Sequence, residues 1–164
     1  GSTVKATGIA LVGGAAAAIH TDGAFMSADF DVVAGNDTAF DQAMAAAGFE
    51  DDEKALHGRG GWYHPAHPQF AVEQVSGAYF DGRADKARCL KLTVREGAAI
   101  VLPAIEDMIA DRLGQHEVAG GDMSMLEQAR ALYALAEGLD LAYLHRRILE
   151  ESGNPAHLGL SGKS

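Results

Sequence analysis

Apolar residues come in short bursts along the first part of the chain and in helical stripes after it. Ile9 to Val12 is a continuous apolar run of strand length, and it predicts a buried strand. Gly13-Gly14 follows, where the backbone can turn sharply and come close to a ligand. Ala15 to His20 consists of helix formers and stops at Thr21-Asp22-Gly23. A second strand opens at Asp29-Phe30-Asp31, continues to Val33 and ends at Ala34-Gly35-Asn36. Strand side chains alternate between faces, so Asp29 and Asp31 point the same way, about 7 Å apart.

Phe40, Ala43, Met44 and Ala47 recur at helical spacing, with Asp37 or Thr38 as cap and Gly48 as stop. Glu50 to Glu53 is an acidic run that reads as a solvated loop or the start of a helix. His57 to Pro68 holds His57, His64 and His67 between prolines and reads as an extended surface loop, with transition-metal binding a minor alternative. Phe70 to Val75 alternates as a strand, with Glu73 on the face of Ala71 and Val75. Ser76 to Asp85 is loop-like. Cys89 to Arg95, the turn Glu96-Gly97 and Ala98 to Leu102 predict a hairpin, after which Pro103 opens a helix at its first position.

The remaining stripes are helical. Ile105, Met108, Ile109 and Leu113 form the first. Met125, Leu126, Ala129, Leu132, Tyr133 and Leu135 form the second, capped by Asp122 or Ser124. Leu139 to Leu149 forms the third, which ends at Gly153-Asn154-Pro155. This divides the chain into a sheet core over 4–102, a helical part over 103–153 packed on it, and a mobile tail over 154–164. On the first helix, Asp107 and Asp111 read as a mildly repulsive pair. Arg112 borders the apolar stripe, with its stem packed and its head in water, and a substrate-facing role is the lesser alternative.

At 164 residues the chain suffices for one domain with a sizeable core. Its formal net charge of −10 argues against extended nucleic-acid binding, which needs Lys and Arg to displace counterions. A small nucleotide stays compatible, because a metal ion can offset its charge. The single cysteine, Cys89, excludes an intrachain disulfide framework and fits a reducing cytoplasm. Cys89 shares a strand face with Lys91, Thr93 and Arg95 and reads as an inert thiol. No apolar stretch approaches the roughly 20 residues of a membrane span, and no signal peptide is visible. Gly1-Ser2 reads as an expression scar, which leaves room for a native segment upstream.

The candidate chemistry rests on Asp29 and Asp31 beside the glycine turn. Two carboxylates there can hold a divalent metal and the phosphates it neutralises, and the start of the small-residue helix offers free N–H groups to a phosphate. Gly13-Gly14, the short helix, Asp29-Phe30-Asp31 and a carboxylate on a later strand together resemble the DNA polymerase beta-type nucleotidyltransferases. The closer resemblance is to the minimal and abortive-infection-type members of bacteria. Leu102 to Leu113 resembles the helix that follows the sheet in these proteins, and the resemblance spans about Ile9 to Leu135.

The resemblance implies a mixed β-sheet with flanking helices, of α/β (α+β) class, and transfer of a nucleoside monophosphate from a nucleoside triphosphate to an unknown acceptor. Asp29, Asp31 and Glu73 would be both the catalytic and the metal-binding residues, for Mg²⁺ or Mn²⁺. The Gly13 and Gly14 amides would hold the triphosphate. Two other readings are carried alongside. One is a catalytically degenerate protein of the same fold that binds a ligand. The other is a toxin–antitoxin-type module whose helical stripes meet a protein partner or a second copy.

Overall fold

The computed structural model describes residues 9–27, 29–52, 61–76 and 79–160. Seven strands form one mixed sheet: β1 (Ala10–Val12), β2 (Asp29–Val33), β3 (Glu50–Asp52), β4 (Gly61–His64), β5 (His67–Ser76), β6 (Leu90–Arg95) and β7 (Ala98–Leu102). Their spatial order is β3-β4-β5-β2-β1-β7-β6. Strand β1 runs antiparallel to the central strand β2 and parallel to β7, and β2 runs parallel to β5. The helices are α1 (Gly13–His20), α2 (Asp37–Ala46), α3 (Ile105–Val118), α4 (Met123–Leu135) and α5 (Leu141–Glu150).

Alternation decides the layers. Leu11, Val32 and Leu102 are buried on one face of the sheet, where they join Ala15, Ala16 and Ala17 of α1 and the stripes of α3, α4 and α5 in one core. The alanines allow α1 to lie close to the sheet. The opposite face carries Ala10, Val12 and Val33, covered by Ala84 and the half-buried Val75, Phe80 and Cys89. That second cover is small, so the same face stays open further along β2 and β5. The edge strand β6 leaves Leu90, Leu92 and Val94 exposed. Among the described residues no helix is long and apolar enough to cross a membrane.

Several local expectations change. The acidic run contains β3, and the histidine loop contains β4 and the start of β5. Pro68 is tolerated because β5 pairs with β2 only from Ala71 onward. His64 and His67 face each other across the turn between β4 and β5, and the His64 Nδ1 accepts the Ala66 N–H at 3.1 Å. Glu53 and His57 lie outside the described residues. Asn36, not Asp37 or Thr38, caps α2 by accepting the Ala39 N–H at 2.9 Å. Helix α3 starts two residues after Pro103, with Ala104 in the cap position.

The stretch read as a tail instead holds a 3-10 turn at Pro155–Leu158, and Leu158 and Leu160 pack against the core. The apolar residues Leu126, Ala129, Leu132, Leu144 and Ile148 of the last two helices are buried within the chain.

Candidate active site

Strand β2 places the aspartates. Asp31 lies between Val12 of β1 and Glu73 of β5, each its direct partner in register. Neighbouring strands are about 4.8 Å apart, so Asp31 and Glu73 stand side by side on one face. Asp29 is two residues earlier on that face, exposed, and opposite Ala71. The carboxylates of all three do not yet close on one point. Among the described residues, the trio of ligand atoms within 4.8 Å of one another is His116, Glu117 and His157.

The glycine turn abuts this strand. Gly13 has a φ of +65°, and a Cβ built on it would collide with the Asp31 carboxylate. A Cβ on Gly14 would lie 3.2 Å from the Ser27 Oγ, which itself donates to the Asp29 carbonyl at 2.7 Å and fixes the start of β2. Alanine at Gly13 is therefore expected to cost about 1–2 kcal/mol through its left-handed backbone alone. It would also push Asp31 out of place. Alanine at Gly14 should be milder, and thermal melts of the two variants check that order.

Electrostatics set the character of the site. Burial pushes the Asp31 carboxyl above its ordinary value, and Glu73 adds to the push; Arg112 opposes it, while Asp29 and Asp111 reinforce it. A cleft of about 240 Å³ opens beside Asp31 and Gly13, walled by Phe80, Asp111, Arg112 and Glu151. A second cleft of about 520 Å³ lies against Asp29, Asp51, Asp52 and Tyr63. Asp31 and Asp29 thus each border a different cleft.

Arg112 is only 5% exposed, with its Nη2 donating to Asp111 Oδ2 at 2.6 Å and its Nη1 3.4 Å from the Met125 sulfur. Its head is not in water, as the stripe pattern had suggested. Its position beside buried Met108 and Ile109 was the available signal, since a charged head there must find a partner inside. Asp107 is no member of a repulsive exposed pair either, being fully buried against Arg147.

The donor set suits a hard cation. Carboxylate oxygens favour Mg²⁺ or Mn²⁺, and a raised Asp31 beside Glu73 marks like charges that a cation would relieve. The first cleft is acidic, with Asp31, Asp81, Asp111 and Glu151 around Arg112.

The mixed sheet thus carries Asp31 and Glu73 next to a glycine turn, with helices packed on the other face. No protein-family model and no curated protein matches the sequence. The fold is similar to the crystal structure of an antigenic nucleotidyltransferase-like protein from Paracoccidioides brasiliensis, with a TM-score of 0.56 and 16% sequence identity over 87% of this chain and 78% of that one. The nucleotidyltransferase-like fold is therefore established independently of the sequence resemblance.

Proposed function

We propose that the chain is a metal-dependent nucleotidyltransferase of the DNA polymerase beta type, close to the minimal and abortive-infection-type members. The observation that carries this reading is the parallel register of Asp31 with Glu73 beside a glycine whose side-chain space the Asp31 carboxylate takes up. Asp29, Asp31 and Glu73 would hold Mg²⁺ or Mn²⁺, which when bound neutralises the triphosphate and lowers the pKa of the attacking hydroxyl.

The chain's own groups then have separate tasks. The Gly13 and Gly14 amides hold the phosphate tail at the start of α1. Arg112 supplies a fixed positive charge on the wall of the first cleft. The acceptor oxygen attacks the α-phosphorus as the bond to the bridging oxygen breaks, and pyrophosphate leaves. Glu73 takes the acceptor proton. The sheet core and the helical part act as one unit, because the helices wall the cleft that the sheet opens.

The test is pyrophosphate release from each nucleoside triphosphate with Mg²⁺ or Mn²⁺, alongside calorimetric titration of the triphosphates with and without chelator. Metal-dependent binding with release supports the enzyme. Binding without release under either metal would assign the chain to the degenerate, ligand-binding reading. That second reading draws on the sparse positive charge of the first cleft, where Arg112 is already engaged by Asp111.

A further inference from the structure

A second cluster of ligating side chains lies apart from both clefts, at the C-terminal end of α3. His116 occupies the last turn of that helix and Glu117 follows it. His157 arrives from the 3-10 turn Pro155–Leu158, 40 positions beyond Glu117. The ligand atoms of the three all lie within 4.8 Å of one another. Zinc ligands sit about 2.0–2.2 Å from the ion, so in a tetrahedral site they are about 3.3 Å apart. Small side-chain rotations bridge that difference.

The histidines are also prepared for ligation. His116 is 7% exposed, and its Nδ1 lies 2.7 Å from the Asp122 carbonyl oxygen. A carbonyl only accepts, so Nδ1 carries a proton, and in the neutral imidazole the lone pair is on Nε2. Metal-binding histidines are oriented in this way, with the far nitrogen donating to a carbonyl or carboxylate. The His157 ring stands at 84° to the His116 ring with centroids 5.1 Å apart, and its Nε2 is 2.8 Å from Glu117 Oε1. A plain histidine–carboxylate pair would account for that last contact. It would not account for the buried His116 imidazole, the neighbour of Glu117 on α3, meeting the His157 ring at the same point.

We propose that His116, Glu117 and His157 form a binding site for Zn²⁺ or a similar borderline divalent ion, which fastens the C-terminal turn to α3. Two imidazoles and one carboxylate suit such an ion better than Mg²⁺, which prefers oxygen alone. Three protein ligands leave one position for water. The turn already rests on α4, where the Arg130 Nε donates to the His157 carbonyl at 3.3 Å, and its Leu158 and Leu160 reach the core. The ion would add a second tie from that segment to α3, beside the His157–Glu117 contact. The site is independent of the nucleotide chemistry.

The experiment is calorimetric titration of ZnCl₂ into the chelator-treated full chain, with visible absorption of the Co²⁺ form as a readout of geometry. The variants are His157→Gln, Glu117→Gln and Asp29→Ala/Asp31→Ala. One equivalent of Zn²⁺, tetrahedral Co²⁺ bands, and a loss of affinity of about tenfold or more in His157→Gln and Glu117→Gln are expected. The aspartate variant should bind Zn²⁺ at this site like the wild type. Absence of binding overturns the proposal. So does affinity that survives both substitutions, since the ion would then sit elsewhere, for instance at His64 and His67. Glu117 is exposed, so the Glu117→Gln comparison remains readable if the histidine variant folds poorly.

Discussion

Alanine at Asp31 is expected to lower nucleotidyl transfer by about three orders of magnitude or more, while the protein melts no lower than the wild type. The loss follows from removing an oxygen donor from the centre of the carboxylate row, between Gly13 and Glu73. Stability should move the other way. Burial and Glu73 hold the Asp31 carboxyl above its ordinary value. A carboxyl raised in the folded state helps folding fully below its unfolded pKa, and that contribution is lost as pH rises through the folded value. Ionised Asp31 therefore costs the metal-free protein stability at neutral pH. Asp31→Asn, which keeps the shape and drops the charge, should raise the melting temperature in chelator at neutral pH. The gain should shrink at acid pH, as the medium falls through the raised folded value and the wild-type group takes its proton. Asp29→Ala should match the loss of transfer without the gain in stability, because Asp29 is exposed. Melting curves at the two pH values and pyrophosphate assays on the same preparations check both halves. Full transfer by either alanine variant would remove these aspartates from the chemistry.

The elements around this site were legible for a simple reason. Ala10 to Val12, Phe30 to Val33 and Ala98 to Leu102 are interior strands, paired on both sides, and burial writes itself into their composition; Ile9, read with the first of them, is exposed. The Asp29 and Asp31 alternation against buried Val32 likewise fixes which face is open. The edge of the sheet was illegible. Strand β3 is Glu-Asp-Asp, with Glu50 and Asp51 exposed, and exists because β4 pairs with it through Trp62 and Tyr63, which no local pattern reports. The walls of the clefts were illegible for a different reason: Asp81, Asp111 and Glu151 come from separate segments, and only the packing of α3 beside the sheet brings them to Asp31. Phe80 and Asp81, consecutive residues at φ 44° and 53°, show that this wall is shaped by tertiary contacts against local preference. His157 escaped notice because Gly153-Asn154-Pro155 reads as a stop. Here Asn154 caps a new turn by accepting the Ala156 N–H at 3.0 Å. Asp107 escaped because its partner lies on another helix.

That partner gives the largest expected loss of stability. Arg147→Met should destabilise the fold by about 3–5 kcal/mol and lower the melting temperature by roughly 6–20 °C. Both side chains of the Arg147–Asp107 pair are fully buried. The guanidinium donates through Nε to Asp107 Oδ1 at 2.7 Å, through Nη1 to Glu150 at 2.7 Å and through Nη2 to Glu151 at 2.6 Å. These carboxylates hold Arg147 firmly in its charged form. The Tyr143 hydroxyl donates to both Asp107 oxygens, at 3.0 and 3.1 Å. Even so, burial pushes the Asp107 carboxyl up. Without Arg147 the Tyr143 hydroxyl is left to oppose that push, and Asp107 must either take a proton or stand charged in the core without a cationic partner. The penalty should accordingly shrink toward acid pH and grow toward neutrality. It should also reach the first cleft, because Glu151 lines it and would lose the closer of its two cationic partners, keeping only Arg83 at 3.7 Å. The double variant Arg147→Met/Asp107→Asn separates the causes. It removes the stranded charge and keeps the Tyr143 contact, so it should recover part of the stability that Arg147→Met loses, as denaturant titration of the wild type, the two single variants Arg147→Met and Asp107→Asn, and the double variant would read. A double variant no more stable than Arg147→Met would mean that the guanidinium acts mainly through Glu150 and Glu151, as the tie that keeps the end of α5 against the cleft wall.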